Sequence, residues 1–476
     1  MFDVVVIGGG VIGGLMLREL TKYNLNVCLL EKDGDVALGA SKANSGIVHA
    51  GFDAVEGSLK AKFNVLGNQM MEGVCAELGV KFRKNGSLVV AFSEEEITTL
   101  HALKKRGENN GVTGLEIVSQ DKLRAMEKNI SDSALSALYA PTGGIVCPYE
   151  LTIASIGNAM DNGATLLTDF AVSNIEKNEN GYIIKSDDGQ RVESKIIINC
   201  AGLFSGKIAN MVGDSDIEVN ARKGEYILLD RESGDFVSHT LFFTPTKVGK
   251  GILITQTVDN NILLGPTATE QEGSDTETSA NGLNFVIDTA KKMCKNIPLF
   301  NTITSFAGLR AYCNRHDFII EESKVSKGVI HCAGIESPGL TSAPAIAKYV
   351  VEELVSGMID LNKNKNFNGI RKPDYFFKNL SVAEKNEIIK KDPSYGKIVC
   401  RCEQVTEGEI LRAIRENPPA KDIDGVKRRT RSGMGRCQGG FCQPFVAELI
   451  AKERGIKLEE VNKNGKGSYL LTGVAK

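Results

Sequence analysis

The sequence predicts an α/β protein, α+β overall. A mostly antiparallel β-sheet is inserted into a Rossmann-like nucleotide-binding domain, and a small cysteine unit follows. The chain begins with a strand, a glycine-rich turn, a helix and a second strand. Its middle part alternates short strand-like segments with polar turns, and four of its 11 cysteines lie near the C-terminus. At 476 residues the chain is too long for one ordinary domain, so two or three are expected.

The N-terminal segment has the size and periodicity of a βαβ unit. Residues 2–7 form a short apolar run, and residues 26–30 form a second one. Between them, apolar side chains recur at helical spacing at Ile12, Met16, Leu20 and Tyr23. A strand, a helix and a second strand within about 30 residues are typical of the start of a parallel sheet.

Three glycines between the first strand and the helix form a GxGxxG motif. Gly8 permits a tight turn, Gly10 lets a pyrophosphate approach the backbone, and Gly13 lets the helix pack on the strand. The helix N-terminus offers N–H groups to phosphates, and Glu31 ends the second strand, where it can bind a ribose. A glycine turn without a ligand is the competing interpretation. The agreement of all four features favours an adenine dinucleotide, without separating NAD from FAD.

The middle of the chain predicts the inserted sheet. Residues 87–92 are strand-like, residues 94–108 form a charged helical pattern, and three later strand-like segments are separated by polar turns. Two further apolar strands are expected to return to the first domain. The three segments assigned to the insertion are residues 182–185, 226–230 and 251–255, and the returning strands are residues 195–202 and 328–334.

Composition excludes several classes of protein. The formal net charge is -2 and the sequence pI is about 6.3, so the basic excess of a nucleic-acid-binding protein is absent. No apolar run approaches the roughly 20 residues that cross a bilayer, so no transmembrane segment is expected. The first residues lack the pattern of a secretory signal. A cytoplasmic protein is expected, with peripheral membrane association only through a partner.

Four clustered cysteines predict a metal site. They form a CxC pair and a CxxxxC pair, and a reducing compartment favours metal binding over disulfides. Four thiolates suit a [2Fe–2S] centre, but Cys₄ also suits structural zinc. The glycines of the second pair allow close approach to bridging sulfides, and the following helix N-terminus stabilises thiolate. The predicted metal ligands are Cys400, Cys402, Cys437 and Cys442.

Several separated motifs resemble the D-amino-acid-oxidase-like family of FAD oxidoreductases. They are residues 39–51 (GASKANSGIVHAG), 199–202 (NCAG), 308–310 (GLR) and 334–341 (GIESPGLT). The resemblance covers about residues 1–355. It implies FAD, with the flavin ring between the nucleotide domain and the inserted sheet. The implied FAD contacts are Gly8, Gly10, Val11, Ile12, Gly13, Glu31, Lys32, Ser41, Asn44, Ser45, Gly46, Ala201, Gly202, Gly334, Gly339, Leu340 and Thr341.

The same resemblance implies residues for catalysis and substrate binding. His49 is the candidate for polarising or deprotonating a substrate hydroxyl, although a structural histidine beside the flavin is an equal alternative. Arg310, in the GLR motif, is the catalytic and substrate-binding candidate for a phosphate or carboxylate, and Arg315 is a weaker one. Tyr149 is a further candidate contact, with packing at a helix start as the competing interpretation. Lys60 and Lys62 could add positive charge.

The cysteine unit resembles the small domain named for bacterioferritin-associated ferredoxin, including residues 433–439 (GMGRCQG). That resemblance implies a [2Fe–2S] cluster. The surrounding basic residues could raise its reduction potential or bind an acidic partner, or they could form a solvated face. These basic residues are Lys427, Arg428, Arg429, Arg431 and Arg436.

Together these features predict a dehydrogenase that passes electrons from substrate to FAD and through [2Fe–2S] to a partner. The acceptor would be another flavoprotein subunit or a quinone-linked protein. The chain most resembles the anaerobic glycerol-3-phosphate dehydrogenases of the family, while residues 51–60 look more like L-2-hydroxyglutarate oxidoreductases. The expected reaction is oxidation of sn-glycerol 3-phosphate. A 2-hydroxy acid, an amine, or a non-catalytic electron-transfer role are the alternatives.

The predicted boundaries follow from these motifs. The oxidoreductase comprises residues 1–355, with FAD-binding parts at 1–78, 142–220 and 305–355 and substrate-domain parts at 79–141 and 221–304. A linker (356–396), the [2Fe–2S] domain (397–456) and a C-terminal tail (457–476) follow. The oligomeric state is not predicted.

Overall fold

The N-terminal sheet has eight strands and is built around the first βαβ unit. In a computed structural model, residues 1–245, 251–271, 273–371 and 376–473 are described. The central strands are parallel, and an antiparallel hairpin extends one side of the sheet. Its strands are β1 Phe2–Ile7, β2 Val27–Leu30, β9 Thr165–Leu167, β10 Val172–Asn178, β11 Gly181–Ser186, β12 Arg191–Asn199, β19 Ile319–Glu322 and β20 Val329–Ala333.

Alternating side chains of β1 bury the two faces of this sheet in different cores. Val4 and Val6 face a core formed with four helices, whereas Val5 and Ile7 face a core formed with the hairpin and a short helix. The four helices are α1 Val11–Leu20, α2 Leu59–Leu78, α5 Pro148–Asp161 and α8 Gly339–Tyr349, which continues as a π-helical turn at Val350–Leu354; the short helix is α6 Ser205–Met211.

Within the described ranges the inserted sheet has nine strands, and their pairs are antiparallel except for β14 with β5. The strands are β5 Ser87–Ala91, β6 Glu116–Ser119, β7 Ser136–Ala140, β13 Val219–Leu229, β14 Thr240–Phe243, β15 Leu253–Gln256, β16 Ile262–Gly265, β17 Thr269–Gln271 and β18 Thr302–Cys313. Helices α3 Glu94–Asn109, α4 Gln120–Met126 and α7 Ala280–Met293 accompany it, and a small sheet of β3 Ile47–Val48, β4 Phe82–Arg83 and β8 Gly144–Val146 lies at the junction.

The predicted fold class is confirmed, with one strand misplaced. Both returning strands pair in parallel within the first sheet, as expected. The strand predicted at residues 182–185 was assigned to the insertion, and that assignment is wrong: β11 pairs with β12 of the N-terminal sheet. A tight turn folds β10 and β11 into a hairpin. Alternation along a strand does not specify which sheet the strand extends, so only the tertiary structure separates the two.

The C-terminal cysteine unit has a small core of its own. It contains α9 Val382–Lys391, β21 Ile398–Cys400, β22 Val405–Thr406, α10 Glu407–Arg415, α11 Ile423–Thr430 and α12 Gln443–Arg454. Ile410, Val426 and Ile450 are fully buried in that core. The helix expected after the cysteines is present as α12, and it begins directly after Cys442. No helix within the described ranges combines the length and apolarity needed to cross a bilayer.

The predicted linker is divided between two domains: residues 356–371 lie on the N-terminal domain, whereas residues 376–396 contain α9 and belong to the cysteine unit. The carbonyl of Gly369 accepts a hydrogen bond from Arg18, and that of Asn368 accepts one from Asn158. Arg371 donates to the carbonyls of Ile153 and of Asn417, which lies in the C-terminal unit. The polar composition of this segment therefore reflects backbone and side-chain hydrogen bonds to two domains.

Helix α2 lies directly against the start of α8 at Gly67. A Cβ atom at Gly67 would lie 2.0 Å from the carbonyl oxygen of Thr341 and 2.9 Å from the Cα of Ser342. Both neighbours are backbone atoms and cannot rotate away. Gly73, on the exposed side of the same helix, has nothing within 4 Å of such a Cβ.

We expect Gly67→Ala to destabilise the protein by about 1–3 kcal/mol, because α2 and α8 must separate. Gly73→Ala should be neutral or stabilising by up to about 1 kcal/mol, because alanine favours the helix. Thermal or denaturant unfolding of the two matched variants measures the difference. Equal stabilities would contradict this account of the α2–α8 contact.

Candidate active site and cysteine site

The turn after β1 allows no side chain at two of its glycines. Gly8 has φ +113, and a Cβ there would lie 2.4 Å from the carbonyl oxygen of Cys200. A Cβ at Gly13 would lie 2.0 Å from the carbonyl oxygen of Gly8. The turn, the helix and the end of β12 therefore lie in direct backbone contact, as dinucleotide-binding turns require.

Polar groups around the start of α1 suit a ribose and a pyrophosphate. The Glu31 carboxylate accepts hydrogen bonds from the Gly9 N–H (2.7 Å) and the Asp33 N–H (3.0 Å). Burial raises the pKa of Glu31, and those two hydrogen bonds oppose the rise. Ser41 Oγ accepts from the Val11 N–H at 2.9 Å, and the N-cap residue of α1, Gly10, has no side chain to cap the helix. The donor set and the glycine backbone fit the adenosine and pyrophosphate of FAD.

The remaining nucleotide candidates border the same region. Lys32 is exposed, pairs with Asp33 at 2.8 Å and lies over the ring of Phe204. The Ala201 N–H donates to Asn199, and Gly202 has φ +55 with open space where a Cβ would be. These residues surround the edge of the sheet at which β1 and β12 end.

The segment from residue 44 to residue 49 connects the nucleotide end to a second polar cluster. Asn44 Oδ1 accepts from the Gly46 N–H at 2.8 Å, which fixes the turn. The His49 N–H donates to Thr341 Oγ1 at 2.9 Å, and His49 Nε2 lies 3.3 Å from Ser337 Oγ. The His49 ring is half-buried beside Phe242 of the inserted sheet, with ring centroids 5.8 Å apart. His49 thus lies between the two sheets.

Two side-chain amides of α2 donate hydrogen bonds to the backbone of His49. The His49 carbonyl accepts hydrogen bonds from Asn64 Nδ2 at 2.8 Å and from Asn68 Nδ2 at 3.1 Å. With the contact to Thr341, both backbone groups of His49 are fixed. The imidazole orientation therefore depends on α2 and α8 as well as on its own turn.

The loop before α8 is fixed by an ion pair. Lys60 Nζ lies 2.8 Å from Glu336 Oε1, and both side chains are largely buried. Gly334 packs against Cys313, and α8 begins at Gly339 without a side-chain cap. Leu340 packs on the N-terminal core. The helix N-terminus therefore leaves backbone N–H groups suited to negative charge on a flavin pyrimidine ring.

Arg310 lies in β18 and meets a tyrosine that the sequence did not single out. The buried hydroxyl of Tyr226 contacts the Arg310 guanidinium and the side chain of Ser45. Burial raises the pKa of that phenol, and Arg310 opposes the rise. Strand β18 also lies against the turn, since a Cβ at Gly308 would be 2.0 Å from the carbonyl oxygen of Ala43. Arg310, Tyr226 and Ser45 are thereby brought together.

Among the described residues, no carboxylate pairs with Arg310 within 4.0 Å, unlike most arginines of the chain. Arg310 is only half-buried. A partly desolvated guanidinium without an acidic neighbour is suited to an anionic ligand, which an arginine binds with two parallel hydrogen bonds.

Arg315 and Tyr149 are placed elsewhere. Arg315 is exposed, and its guanidinium pairs with Asp216 and with Glu321, each at 2.8 Å. The hydroxyl of Tyr149 lies 3.5 Å from Met434 Sδ, so this side chain, at the start of α5, contacts the cysteine unit. Burial raises the pKa of Tyr149 well above its ordinary value. The structure does not group these two residues with His49 and Arg310.

The four predicted cysteine ligands lie together as two pairs. Cys402 Sγ and Cys437 Sγ are 3.5 Å apart, and Cys400 contacts Cys442. Cys400 and Cys442 are buried, whereas Cys402 and Cys437 are half-buried. Within the described part of the chain, no group of three or more His, Cys, Asp or Glu side chains is arranged to hold a single metal ion. Two close thiol pairs suit two irons better than one zinc.

Backbone N–H groups already point at these sulfurs. Contact with Cys442, with N–H groups of Gly433 and Glu403, lowers the pKa of Cys400 to about 6. The Gly439 and Phe441 N–H groups donate to Cys437 and oppose the effect of burial, so its pKa is lowered too. Such N–H donors stabilise thiolate and tune iron–sulfur centres. The donor set therefore fits [2Fe–2S].

Three arginines of the basic segment between the cysteine pairs are buried and do not form a solvated face. Arg428 and Arg429 are buried and pair with Asp35 of the nucleotide domain. Arg431 is buried and pairs with Asp259 at 2.8 Å. Arg436 is exposed and pairs with Glu232 at 2.6 Å. These arginines dock the cysteine unit onto acidic residues of its own chain.

The sequence did not identify Tyr226, Asp35 and Asp259 as functional candidates. Ser337 lies in the motif at residues 334–341, but no contact was predicted for it. Tyr226 sits in an apolar strand, where a tyrosine is usually core. The two aspartates lie in polar turns, where such residues are common. Their partners are distant in sequence, so no local signal identifies them.

A strand-end dinucleotide site, a polar cluster beside a second sheet and a cysteine unit define a flavin-dependent oxidoreductase with an iron–sulfur domain. Residues 3–353 match the family model "FAD dependent oxidoreductase", and residues 398–452 match the "BFD-like [2Fe-2S] binding domain". The chain belongs to the FAD-dependent oxidoreductase family, and its cofactors are FAD and [2Fe–2S].

Individual known proteins are also similar to the chain over most of its length. The chain is 49% identical over 478 residues to a glycerol 3-phosphate dehydrogenase of Caloramator mitchellensis, covering 100% of this chain and 99% of the relative. It is 29% identical to a mitochondrial L-2-hydroxyglutarate dehydrogenase of Pongo abelii, covering 74% and 87%. Among solved structures, dithionite-reduced L-α-glycerophosphate oxidase from Mycoplasma pneumoniae with FAD bound has a TM-score of 0.74 at 30% identity, covering 78% and 98%.

We expect anaerobically purified protein to contain iron and acid-labile sulfide in equal amounts and no stoichiometric zinc. Cys437→Ser should lose both iron and sulfide but still bind flavin at saturating FAD, because the nucleotide turn is intact. Cys294→Ala, a buried cysteine of the inserted sheet, is the control and should keep its iron. Metal analysis and visible absorption decide, and zinc in place of iron would overturn the assignment.

Proposed function

We propose that the protein oxidises the secondary alcohol of sn-glycerol 3-phosphate to dihydroxyacetone phosphate. The observation that carries this is Arg310, half-buried, in contact with Tyr226 and without a carboxylate partner among the described residues. A phosphate bound there would lie on the same side of the inserted sheet as His49. The relative that matches along its whole length bears the name of this activity.

His49 is proposed as the base. Oxidation of an alcohol requires removal of the hydroxyl proton and transfer of a hydride from the same carbon. The fixed backbone of His49 and the contact of Nε2 with Ser337 hold the imidazole in one orientation, suited to accept that proton. Arg310 and the Tyr226 hydroxyl would hold the anionic end of the substrate. Bound FAD supplies the hydride acceptor.

The cysteine site is proposed as the electron exit. Cys402 and Cys437 are half-buried, so this edge of the site reaches the surface. Two phenylalanines flank it: Phe441 is 77% exposed and Phe445 is 52% exposed. Exposed aromatic side chains are common where a protein partner binds. A partner docking at this edge would receive electrons singly, in keeping with a dehydrogenase that does not need oxygen. That partner is proposed to be another flavoprotein subunit or a quinone-linked protein.

A 2-hydroxy-acid dehydrogenase is the second candidate. A guanidinium binds carboxylate as well as phosphate, and the relatives include an L-2-hydroxyglutarate dehydrogenase. Residues 51–60 share that likeness. The identity along the whole chain, iron–sulfur domain included, favours glycerol 3-phosphate.

We expect sn-glycerol 3-phosphate to bleach the flavin absorption of the anaerobic protein, and L-2-hydroxyglutarate to leave it unchanged. Glycerol without phosphate is the control and should react far more slowly, because Arg310 then binds no anion. Stopped-flow absorbance records each reaction. Bleaching by L-2-hydroxyglutarate alone would transfer the assignment to the second candidate, and no bleaching by any alcohol would favour a non-catalytic subunit.

We expect Tyr226→Phe to raise the KM for sn-glycerol 3-phosphate by about tenfold with a smaller change in kcat, because a hydrogen bond to a charged group is lost. Tyr182→Phe is the matched control. Its buried ring has a hydroxyl that donates to the Lys327 carbonyl at 2.6 Å, in the other sheet. That control should keep the wild-type KM. A similar KM in both variants would remove Tyr226 from the substrate site.

A further inference from the structure

The loop that follows β2 is held on both sides. On one side, the Ala37 N–H donates to the Gly9 carbonyl at 2.9 Å, and Glu31 accepts from the Gly9 N–H. On the other side lies α11 of the iron–sulfur domain. This loop, residues 31–37, carries the carboxylate suited to the FAD ribose and packs on the phosphate-binding turn.

Asp35 is the point at which α11 holds the loop. Arg429 donates to both of its carboxylate oxygens, each at 2.8 Å, and Arg428 donates to one of them. All three side chains are at least 93% buried. The Gly425 backbone lies so close that a Cβ there would be 3.1 Å from Asp35 Oδ2. A buried carboxylate with two arginines in this geometry is costly to break, because removal of one partner leaves a buried charge uncompensated.

The other end of α11 leads directly into the cysteine site. Arg431 caps the C-terminus of the helix, and the next residue, Ser432, donates from Oγ to Cys442 Sγ at 3.5 Å. The Gly433 N–H then points at Cys400. One eight-residue helix therefore joins the nucleotide loop to two cluster ligands, with no flexible segment between them.

One buried polar atom at this junction has no partner. Arg428 Nε makes no hydrogen bond among the described residues, although Arg428 is only 5% exposed. Lys42, next to the Ser41 that contacts the start of α1, lies close enough to Arg428 for its pKa to be lowered, mainly by burial and then by that charge. Buried donors without partners are rare, and either a water molecule or a bound ligand would satisfy this one.

We propose that the iron–sulfur domain is part of the FAD-binding apparatus. The Asp35–Arg428–Arg429 cluster fixes the loop that holds the adenosine half of FAD, so flavin binding and docking of α11 stabilise each other. Asp35 is a positioning residue, since it acts through the loop. This inference rests on FAD binding and not on the identity of the substrate. Because coupling free energies are reciprocal, FAD must tighten α11 as much as α11 tightens FAD.

Asp35→Asn tests the proposal in the full-length protein with its cluster in place. The expected result is a rise of tenfold or more in the Kd for FAD, measured by the quenching of flavin fluorescence on binding. A loss of about 1.4 kcal/mol in coupling free energy corresponds to tenfold. In the wild type, FAD should slow hydrogen exchange of the backbone amides of α11, and in Asp35→Asn that effect should disappear. A merely structural aspartate would not remove this FAD-dependent protection.

Arg431→Gln is the matched control. It breaks another buried ion pair of the iron–sulfur domain, with Asp259 of the inserted sheet instead of the nucleotide loop, and it also removes the pair of Arg431 with Glu403. Its Kd for FAD should rise less than that of Asp35→Asn. If the two variants weaken FAD equally, or if Asp35→Asn changes the Kd less than about twofold, the proposal is overturned.

The triple variant D35N/R428Q/R429Q covers the case in which Asp35→Asn does not fold, because it neutralises all three members of the cluster together. It should show the same weakened flavin binding and the same loss of protection in α11. Wild-type FAD affinity in the triple variant would overturn the proposal. Flavin bleaching by substrate at saturating FAD is a separate readout, so failure of this inference is distinguishable from failure of the proposed reaction.

Discussion

The arrangement of the site depends on close backbone contact around the segment that contains His49. Strand β18 lies against the carbonyl of Ala43, and α2 lies against the carbonyl of Thr341, at positions where only glycine fits. Since a Cβ at either glycine would approach a carbonyl oxygen to 2.0 Å, neither contact tolerates a side chain. These contacts bring three parts of the chain, remote in sequence, to one place. The polar groups of His49, Arg310 and Ser337 are positioned by that packing more than by their own rotamers.

The arginines of the candidate active site and those of the iron–sulfur domain have different charged neighbours. Arg310 has no carboxylate partner among the described residues, whereas the arginines in and directly after α11 are buried against aspartates. A buried ion pair adds little net stability, because desolvation of both partners offsets their attraction. Its consequence here is specificity, since only the observed docking pairs every one of these charges. The iron–sulfur domain is thereby held in one orientation on the nucleotide domain.

The cysteine site combines a protected side with an accessible one. Cys400 and Cys442 lie in the small core, and backbone N–H groups point at Cys400 and Cys437. Cys402 and Cys437 lie at the surface beside Phe441. A site of this kind limits solvent access to a cluster and still leaves an edge for a partner. His49 differs in position, since its half-buried ring lies between the two sheets, beside Phe242.

The sequence by itself determined the features that depend on local pattern. The GxGxxG turn, the acid at the end of β2, the returning strands and the spacing of four cysteines each require particular residues at short separations, so they predict the nucleotide turn, the parallel sheet and the [2Fe–2S] unit. His49 and Arg310 were singled out through motifs that resemble a known family, and their roles stay predictions.

Only the tertiary structure decided which distant residues meet. In the structure Tyr226 contacts Arg310, and Tyr149 lies at the junction with the cysteine unit. Arg315 pairs with carboxylates, and the basic segment is buried against Asp35 and Asp259. It also assigned the hairpin of β10 and β11 to the N-terminal sheet. Periodicity reports which face of a strand or helix is buried, but the burial partner is set by packing across the whole chain, which no local pattern encodes.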